Sequence, residues 1–286
     1  MARAPKRHLA LADFMPADAT GYRDIVPRLI TGVAGGALVM AGAVLLPDIW
    51  WAVGVGLVAV LCGSELYALT RREHRRPNEL FGLVAIAAMP MAAALFGSAG
   101  LLGVLTLLAL LSLLWQVLFP SVTVYDTAMT VFGAVYTGFM LSHLVLMRAL
   151  PDGRSYVVVL FASVWASDVF AYFAGTAFGR HKLAPHVSPR KSWEGAVAGG
   201  LAASAAWIIA RLFVRGAIPV VSLAIVGVGV AVAAIVGDLV ESRIKREAGA
   251  KDSGDLLPGH GGFLDRFDSV IAAAVIAYYL LVWAGR

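Results

Sequence analysis

Long apolar runs, separated by short polar segments, dominate this 286-residue chain. A helix needs about 20 mainly apolar residues to cross the roughly 30 Å hydrocarbon core of a bilayer. Such runs lie at 29–47, 49–70, 79–97, 100–118, 125–148, 155–178, 194–214, 217–241 and 269–285. The runs are continuous, and a helix satisfies its own backbone groups in lipid. The sequence therefore predicts an all-α polytopic integral membrane protein with about nine transmembrane helices.

The composition agrees with this prediction. Hydrophobic residues make up 60% of the chain, charged residues only 14%, and the mean hydropathy is +0.81. These values exclude an ordinary soluble globule. The single cysteine, Cys62, excludes an intrachain disulfide and a cysteine-based zinc cluster.

Basic residues are distributed unevenly between the two sides of the predicted bundle. With the N-terminus in the cytoplasm, eighteen Lys and Arg residues fall on the cytoplasmic side and five on the other. The positive-inside rule then predicts a cytoplasmic N-terminus and a C-terminus on the opposite side. We divide the chain into a cytoplasmic tail (1–28), N-terminal transmembrane helices (29–150) and a C-terminal transmembrane region (151–286). In this topology the polar loops 179–193 and 242–268 both face the cytoplasm.

The first polar loop, 179–193, reads GRHKLAPHVSPRKSW and is rich in cations and hydroxyls. Its candidate ligands for a polyphosphate are Arg180, Lys182, Ser188, Arg190, Lys191 and Ser192. Arg and Lys supply positive charge to phosphate groups, and hydroxyls supply directed donors. The alternative is that these cations only anchor the topology of the chain.

The end of the eighth apolar run carries a polar stripe. Its members are Asp238, Glu241, Ser242 and Lys245. Their spacing of three, four and seven residues places them on one helix face. We therefore expect a line of polar side chains where this helix leaves the membrane.

Asp265 and Asp268 follow at the start of the last run, three residues apart. Together with Asp238 they offer the oxygen ligands that Mg²⁺ prefers and shares with substrate phosphates. The alternative is that these carboxylates form salt bridges with Arg246 and Arg266.

Two further acids lie within apolar runs. An acid inside the membrane is costly, so Asp168 indicates a functional cavity, with Tyr172 one turn further on the same helix face. A structural arginine partner for Asp168 is the alternative. Glu65 lies nearer the cytoplasmic boundary, and we expect it to pair with Arg71 or Arg72 and to take no part in chemistry.

The segment PGHGG, 258–262, combines glycines with a histidine. Gly261 and Gly262 allow the backbone to approach a ligand closely, as in phosphate-binding loops. His260 could donate to a phosphate oxygen or carry a proton. Glycine-rich turns around histidine are common, so this segment is weak evidence alone.

Read together, residues 242–268, SRIKREAGAKDSGDLLPGHGGFLDRFD, resemble the signature of phosphatidate cytidylyltransferases, also called CDP-diacylglycerol synthases. The signature positions filled here are Ser242, Lys245, Arg246, Lys251, Asp252, His260, Gly261, Gly262, Asp265, Arg266 and Asp268. The segments SDVFAYFAGTAFGRHKLAPHVSPRKSWEG and GDLVES are also similar to regions of this family. The specific resemblance covers 167–269, and the first 150 residues match only as apolar helices. In this family a small residue and a glycine often follow the aspartate, whereas this chain has Val169 and Phe170 after Asp168. This difference bears on how the helix packs and on which acyl chains the enzyme prefers.

The resemblance implies transfer of the cytidylyl group of CTP to phosphatidic acid, giving CDP-diacylglycerol and pyrophosphate in phospholipid biosynthesis. It further implies a Mg²⁺ requirement, with a second metal ion possible, a homodimer, and an active site on the cytoplasmic side of the cell membrane. Residues 151–286 would form the catalytic region. The lipid phosphate is itself the nucleophile, so no serine or cysteine nucleophile is needed. The enzyme instead has to align two polyanions and neutralise the leaving pyrophosphate.

The resemblance also implies roles for individual residues. Asp238 and Asp265 rank first as metal ligands, followed by Asp268. The expected triphosphate or pyrophosphate ligands are Lys245, Arg246 and Lys251. The expected ligands for the phosphatidate head group, or for the remainder of the nucleotide, are Arg190, Lys191 and Ser192. His260 and its glycines would close over the phosphates, and Asp168 and Tyr172 would line a lipid-facing cavity. The remaining substrate-binding candidates are Ser242, Asp252, Gly261, Gly262 and Arg266.

Four other functions are compatible with parts of this pattern. A polyprenol kinase would use CTP at a similar cytosolic site and release CDP. A secondary transporter would also have an intramembrane acid such as Asp168, but most polar residues here lie in loops and the sequence has no paired repeat. A CDP-alcohol phosphotransferase is disfavoured because its acidic motif is absent. An inactive scaffold of the same fold is disfavoured because the carboxylates are intact.

Overall fold

The computed structural model describes residues 19–71, 77–214, 218–254, 256 and 261–285, with side chains from residue 32 onwards. Its helices are α1 (Ala19–Leu45), α2 (Asp48–Arg71), α3 (Glu79–Leu118), α4 (Val124–Gly133), α5 (Met140–Arg148), α6 (Gly153–Phe178), α7 (Trp193–Ala210), α8 (Val220–Glu247) and α9 (Leu264–Ala284). A π-helical segment, Ala134–Phe139, joins α4 to α5. The expectations for His260 and for residues 1–18 of the tail lie outside the described residues.

The described helices confirm an all-α polytopic membrane protein. Seven of them are long and apolar enough to span a membrane, with α4, the π segment and α5 counted as one. Gly32–Leu45 is a further apolar helical segment that is shorter. Helix α1 begins at Ala19, so the last ten residues of the predicted tail are helical.

Helix α3 is two antiparallel helices joined at Gly97. This glycine has φ 63° and ψ −149°, a conformation that interrupts a helix. The rings of Phe81 and Trp115 pack with their centroids 5.3 Å apart. In a straight helix these residues would be separated by about 50 Å. The chain therefore folds back here, as the two separate apolar runs 79–97 and 100–118 predicted.

Glycines let the C-terminal helices α6 to α9 pack closely. A Cβ atom at Gly199 would lie 2.7 Å from the Ser167 hydroxyl oxygen, which brings α7 against α6. A Cβ at Gly227 would clash with the Ser204 backbone on α7. Small residues at such contacts are typical of helix packing in membranes. The result is a compact support for the polar ends of α8 and α9.

Loop 179–193 contains a small β-hairpin that the sequence analysis did not predict. Strand β1 (Lys182–Ala184) pairs antiparallel with β2 (Ser188–Ser192). The Ser192 side chain then caps α7 by accepting a hydrogen bond from the Gly195 N–H at 3.2 Å. The hairpin therefore fixes the end of the basic loop against the start of a helix.

The second polar loop is shorter than predicted. Helix α8 continues to Glu247 and α9 starts at Leu264, whereas the sequence predicted a loop over 242–268. Both helices extend into the charged segment because charged side chains of α8 and α9 pair with one another, as described below.

Candidate active site

Helices α8 and α9 pack closely at Gly237 and Asp268. A Cβ atom at Gly237 would clash with the carbonyl oxygen of Asp268. Beneath this contact the buried Tyr136, from the π-helical segment, donates a long hydrogen bond of 3.5 Å to the Gly237 carbonyl. The polar stripe of α8 consequently faces the beginning of α9.

Lys245 joins the two helices. Its ammonium lies 2.6 Å from Glu241 Oε2 on the same helix and 2.6 Å from Asp265 Oδ1 on α9. The Lys245 side chain is only 12% exposed and that of Glu241 only 2%. The predicted shared face of α8 is confirmed. The alternative, that the carboxylates form salt bridges, is correct for Asp265, whose ion-pair partner across the two helices is Lys245.

Asp265 organises the segment that precedes it. Its Oδ2 accepts hydrogen bonds from the backbone N–H of Ser253 at 2.9 Å, the Ser253 hydroxyl at 3.0 Å and the backbone N–H of Gly262 at 2.8 Å. Gly261 adopts φ 78°, and a Cβ atom there would lie 2.6 Å from the same oxygen. The glycines of the signature therefore let the chain wrap this carboxylate.

Glu65 reaches the same segment from α2. Its carboxylate accepts hydrogen bonds from the Ser253 hydroxyl at 2.7 Å, the Phe263 N–H at 2.9 Å and the Leu264 N–H at 2.9 Å. These amides belong to the first turn of α9, where a carboxylate is favoured by free N–H groups and the helix dipole. Glycines at 254 and 262 leave room for it, since a Cβ at either position would lie within 3 Å of the carboxylate.

The expectation that Glu65 pairs with Arg71 is therefore wrong, and the alternative partner, Arg72, lies outside the described residues. Arg71 instead pairs with Glu79, with a nitrogen to oxygen distance of 2.7 Å. The sequence did contain a signal, because Glu65 is the sole carboxylate within the run 49–70. The rule that singles out an intramembrane acid, applied to Asp168, applies equally to Glu65.

The basic loop meets the stripe of α8 at Asp238. The Lys191 ammonium lies 2.5 Å from Asp238 Oδ2, and the Ser242 hydroxyl donates to Asp238 Oδ1 at 3.1 Å. The two polar loops thus contribute to a single site, as the sequence predicted. Ser192 is 4% exposed and serves as the α7 cap, whereas Arg190 is exposed at the surface.

Three carboxylates at the site lie close enough to influence one another electrostatically. Asp168, Asp238 and Asp268 interact electrostatically with each other, and Lys191 interacts with Asp168. Asp168 also lines a cavity of about 550 Å³, together with Asp265, Arg266 and Asp268. The predicted cavity at Asp168 is therefore present in the structure.

Tyr172 does not belong to the residues that line this cavity. Its side chain lies one turn beyond Asp168 and is 62% exposed on the outer surface of α6. Helical spacing placed Tyr172 on the same side of α6 as Asp168, but the cavity does not extend to this turn of the helix.

The outer residues of the signature are more open. Lys251 and Asp252 are exposed in the bend after α8. Arg246 is exposed, and its guanidinium makes a long contact of 3.5 Å with the Ala250 carbonyl. These three positions therefore border the site from its solvent side.

The donor set suits a hard cation. In the described residues no three carboxylate, histidine or cysteine side chains converge as ready-made metal ligands. One carboxylate oxygen, Glu241 Oε1, is buried and has no hydrogen-bond partner in the described part of the chain. A buried oxygen without a partner is costly, and a bound cation would satisfy it. The side chains present thus offer the oxygen ligands that Mg²⁺ prefers, although in the described residues no three of them converge on one point.

Comparison with known proteins bears directly on this geometry. Residues 26–284 match the model of the cytidylyltransferase family. The chain belongs to this family. The match begins at residue 26, within α1. It therefore includes α2, the helix that carries Glu65. The sequence resemblance noted above is confirmed and extends over nearly the whole cytidylyltransferase chain.

Individual cytidylyltransferases show the same relationship. The phosphatidate cytidylyltransferase of Mycobacterium bovis is 31% identical over 277 residues, which cover 91% of this chain and 89% of that protein. Its counterpart from Mycobacterium leprae is 31% identical over 285 residues, covering 91% and 88%. The phosphatidate cytidylyltransferase of Brucella abortus is 45% identical over a shorter stretch of 151 residues, about half of each chain.

Proposed function

We propose that this protein transfers the cytidylyl group of CTP to phosphatidic acid, forming CDP-diacylglycerol and pyrophosphate for phospholipid biosynthesis. The relatives named above carry this activity in their names. The observation that carries the proposal is the cavity of about 550 Å³, which has carboxylates and an arginine at one end and apolar side chains along its wall. A cavity of this kind suits a lipid with a charged head group.

In this reaction an oxygen of the lipid phosphate attacks the α-phosphorus of CTP. The new P–O bond forms as the bond between the α- and β-phosphates breaks, and the electron pair leaves with pyrophosphate. No covalent intermediate with the protein is required. The protein holds the two reactants in line and balances the charge that develops on the leaving group.

The basic side chains have separate tasks in this proposal. Lys245, Arg246 and Lys251 hold the triphosphate and the departing pyrophosphate. Lys191 and Arg190 hold the phosphatidate head group. Lys245 and Lys191 are already oriented by carboxylates, which restricts their movement before substrate arrives.

Other signature residues act on the loop in this proposal. Gly261 and Gly262 let the chain turn close to the phosphates, and His260 closes over them. Ser242, Asp252, Arg266 and Ser192 hold their neighbours in position for the substrates, and Tyr172 contacts lipid at the surface of α6.

Mg²⁺ is the proposed cofactor, with Asp238, Asp265 and Asp268 as its ligands and Asp168 beside them; a second ion can share the same carboxylates. When bound, Mg²⁺ neutralises phosphate charge and polarises the α-phosphoryl group. The electrostatic coupling between Asp168, Asp238 and Asp268 supports this assignment. Asp265 Oδ1 contacts the Lys245 ammonium, so the Asp265 carboxylate would bind both this lysine and the ion.

The proposed membrane arrangement has nine passes. The seven spanning helices include α3, which folds back and counts twice, and α1 adds one more. An N-terminus in the cytoplasm and a C-terminus on the opposite side agree with the distribution of Lys and Arg. The active site then faces the cytoplasm from the cell membrane, and by family resemblance the enzyme is a homodimer.

The test uses the purified full chain in mixed micelles with phosphatidic acid, Mg²⁺ and CTP labelled at the α-phosphate. Label is expected to enter the lipid with an equal amount of pyrophosphate released, and EDTA is expected to abolish both. A parallel reaction with CTP labelled at the γ-phosphate is the control. Label from the γ-position in lipid, with CDP released, would identify a kinase and reject the proposal. CTP-independent movement of substrate across sealed vesicles would instead indicate a transporter.

A further inference from the structure

The β-hairpin of loop 179–193 lies at the membrane surface. It joins α6 to α7, and both of these helices are long and apolar enough to span a membrane. Two exposed rings stand at the helix ends. Phe178, the last residue of α6, is 71% exposed, and Trp193, the first residue of α7, is 58% exposed. Tryptophan at the end of a spanning helix is typical of the membrane–water interface. The hairpin therefore begins and ends at the level of the lipid head groups.

Two cations of the hairpin lie at this level. Arg180 follows Phe178 by two residues, so their Cα atoms are at most about 7 Å apart. Lys182 pairs across the hairpin with Ser192, the residue directly before Trp193. Paired Cα atoms of antiparallel strands are about 5 Å apart. The head-group layer is about 5–8 Å deep on each side of a bilayer. Both cations are therefore within reach of lipid phosphates.

The surroundings of these two cations are positive. Arg180 and Lys182 are exposed, and in the part of the chain that the structure describes neither side chain forms a salt bridge. Residues 179–194 contain four Lys and Arg residues and a single acid, Glu194. The Glu194 carboxylate is bound to His181, whose Nδ1 lies 2.7 Å away and whose backbone N–H donates at 3.3 Å. The two cations thus present uncompensated charge at the membrane surface.

Other exposed cations on this side of the bundle differ in this respect. Arg71, at the end of α2, pairs with Glu79 at 2.7 Å, and Arg243 of α8 pairs with Glu247 at 2.7 Å. Lys191 of the same hairpin points inward, where its ammonium lies 2.5 Å from Asp238. The hairpin therefore carries one cation for the active site and two for the membrane surface.

We propose that Arg180 and Lys182 bind the phosphate groups of anionic phospholipids that are not substrates, and that these lipids hold the hairpin in place. The proposed topology puts the hairpin at the cytoplasmic leaflet, whose negative surface potential attracts basic segments. A guanidinium and an ammonium supply the donors that a lipid phosphate accepts. Neither residue lines the cavity at the carboxylates, so a lipid bound here is not the one that reacts.

Lipid binding at the hairpin has a consequence for the active site. Lys191 extends from the same hairpin to Asp238, so a lipid that holds the hairpin also restricts the movement of this ammonium. Restricting a reacting group before substrate arrives lowers the barrier. The binding itself is independent of the proposed function, and only its effect on kcat rests on that function.

The test compares the unaltered full chain with Arg180→Gln/Lys182→Gln in micelles of a neutral detergent. The probe is dioctanoyl phosphatidylglycerol, and its apparent Kd is obtained from the rise in the thermal unfolding temperature. Dioctanoyl phosphatidylcholine is the neutral-lipid control. The matched control protein is Arg71→Gln/Arg243→Gln, which removes two exposed cations from the same side and changes the net charge equally.

We expect the apparent Kd for phosphatidylglycerol to be about thirtyfold higher in Arg180→Gln/Lys182→Gln, which is about fivefold for each cation. The control protein should bind like the unaltered protein, and phosphatidylcholine should not distinguish the three proteins. KCl at about 1 M should weaken binding to the unaltered protein, because the Debye length falls to about 3 Å. Glycerol 3-phosphate, which has no acyl chains, should not raise the unfolding temperature.

The effect on turnover is measured in nanodiscs with a constant amount of phosphatidic acid. Replacing part of the phosphatidylcholine by phosphatidylglycerol should raise kcat severalfold for the unaltered and control proteins, and should not raise it for Arg180→Gln/Lys182→Gln.

An equal Kd for phosphatidylglycerol in the unaltered protein and in Arg180→Gln/Lys182→Gln would overturn the inference. A response to glycerol 3-phosphate as strong as that to phosphatidylglycerol would also overturn it, by assigning the two cations to a soluble anion. Binding of phosphatidylglycerol without any rise in kcat would reject the effect on Lys191. Absence of turnover in every protein would reject the proposed function, and the binding result would stand apart from it.

Discussion

The two ends of the helix bundle each bury a charged side chain against backbone groups, but they do so for different purposes. Glu65 at one end and Arg148 at the other are both 5% exposed. Glu65 accepts hydrogen bonds from amides at the start of α9. Arg148 donates to the carbonyls of Gly42, at 3.2 Å, and Leu46 at the end of α1. Each thus binds backbone groups at the end of a helix, where N–H or C=O groups lack intrahelical partners.

The difference lies in what surrounds each charge. Arg148 also contacts Asp48 at 3.1 Å and the face of the Trp51 ring, with 5.4 Å to its centroid. These contacts join α5 to the end of α1 and the start of α2. From Glu65, in contrast, the hydrogen bonds continue through Ser253 to Asp265 and on to Lys245. A buried charge at one end therefore holds the scaffold, and at the other end it belongs to the site.

The strongest test of this comparison is Asp265→Asn at the site end. The change keeps the shape of the side chain but removes the charge that orients Lys245 and is proposed to bind metal. We expect kcat to fall by about 10²–10³-fold, as when one preorganised electrostatic group is removed. Thermal unfolding in detergent should shift to a lower temperature as well, because the amide would face Lys245 or the N–H donors of Ser253 and Gly262, so kcat is measured per folded molecule.

The activity of this variant at saturating Mg²⁺ tests the metal assignment. Should Asp265→Asn keep most of its activity there, the metal assignment is wrong and Asp265 acts only through hydrogen bonds to Ser253 and Gly262.

A smaller effect is expected for Glu65→Gln. The glutamine amide can accept with its oxygen, but its NH₂ group would face N–H donors of Phe263 or Leu264. The first turn of α9 and the segment before it should then shift, and we expect about a ten- to hundredfold loss in kcat from misplaced reacting groups. Steady-state kinetics with CTP and phosphatidic acid would measure this.

Glu79→Gln is the matched control for Glu65→Gln. Glu79 pairs with Arg71 and its side chain is 28% exposed. Loss of this exposed pair should change stability by at most about 1 kcal/mol and leave kcat unaltered. Equal kinetics for the Glu65 and Glu79 variants would show that the α2 carboxylate does not position the site.

The smallest effect on catalysis is expected for Arg148→Met at the opposite end. The carbonyls of α1 and Asp48 would lose their donor, and we expect the free energy of unfolding to fall by about 3 kcal/mol. The activity of the protein that remains folded should be unchanged within about twofold. Thermal unfolding and activity per folded molecule measure the two quantities separately.

Arg243→Met provides the comparison for this variant, since Arg243 forms an exposed pair with Glu247 at 2.7 Å and should contribute no more than about 0.5 kcal/mol. A loss of activity in Arg148→Met that exceeds its loss of folded protein would remove the distinction between the two ends.

Predictions from the sequence were confirmed where they depended on the residue pattern of a single helix or apolar run. Helical spacing placed Asp238, Ser242 and Lys245 on one face, and the apolar runs separated the two halves of α3 at Gly97. The sequence did not reveal contacts between distant positions. Ser253 and Glu65 are 188 residues apart, and no local pattern relates them.

Two other differences have a similar cause. The β-hairpin at 182–192 forms in a loop whose polar composition gave no strand signal, because the ends of α6 and α7 hold its two strands together. Tyr172 lies on the outer surface because the extent of the cavity depends on which helices pack against α6, and spacing along one helix does not specify that.

The hydroxyl of Ser253 has a further consequence. Its oxygen lies within hydrogen-bond distance of both Glu65 and Asp265, at 2.7 and 3.0 Å, yet a hydroxyl has a single hydrogen to donate. Only one carboxylate can receive that hydrogen at any moment. When Asp265 turns its charge towards a ligand, rotation about one C–O bond lets Ser253 donate to Glu65 instead. In the proposed reaction, donation to Glu65 would keep Ser253 attached to α2 while Asp265 loses one of its hydrogen bonds.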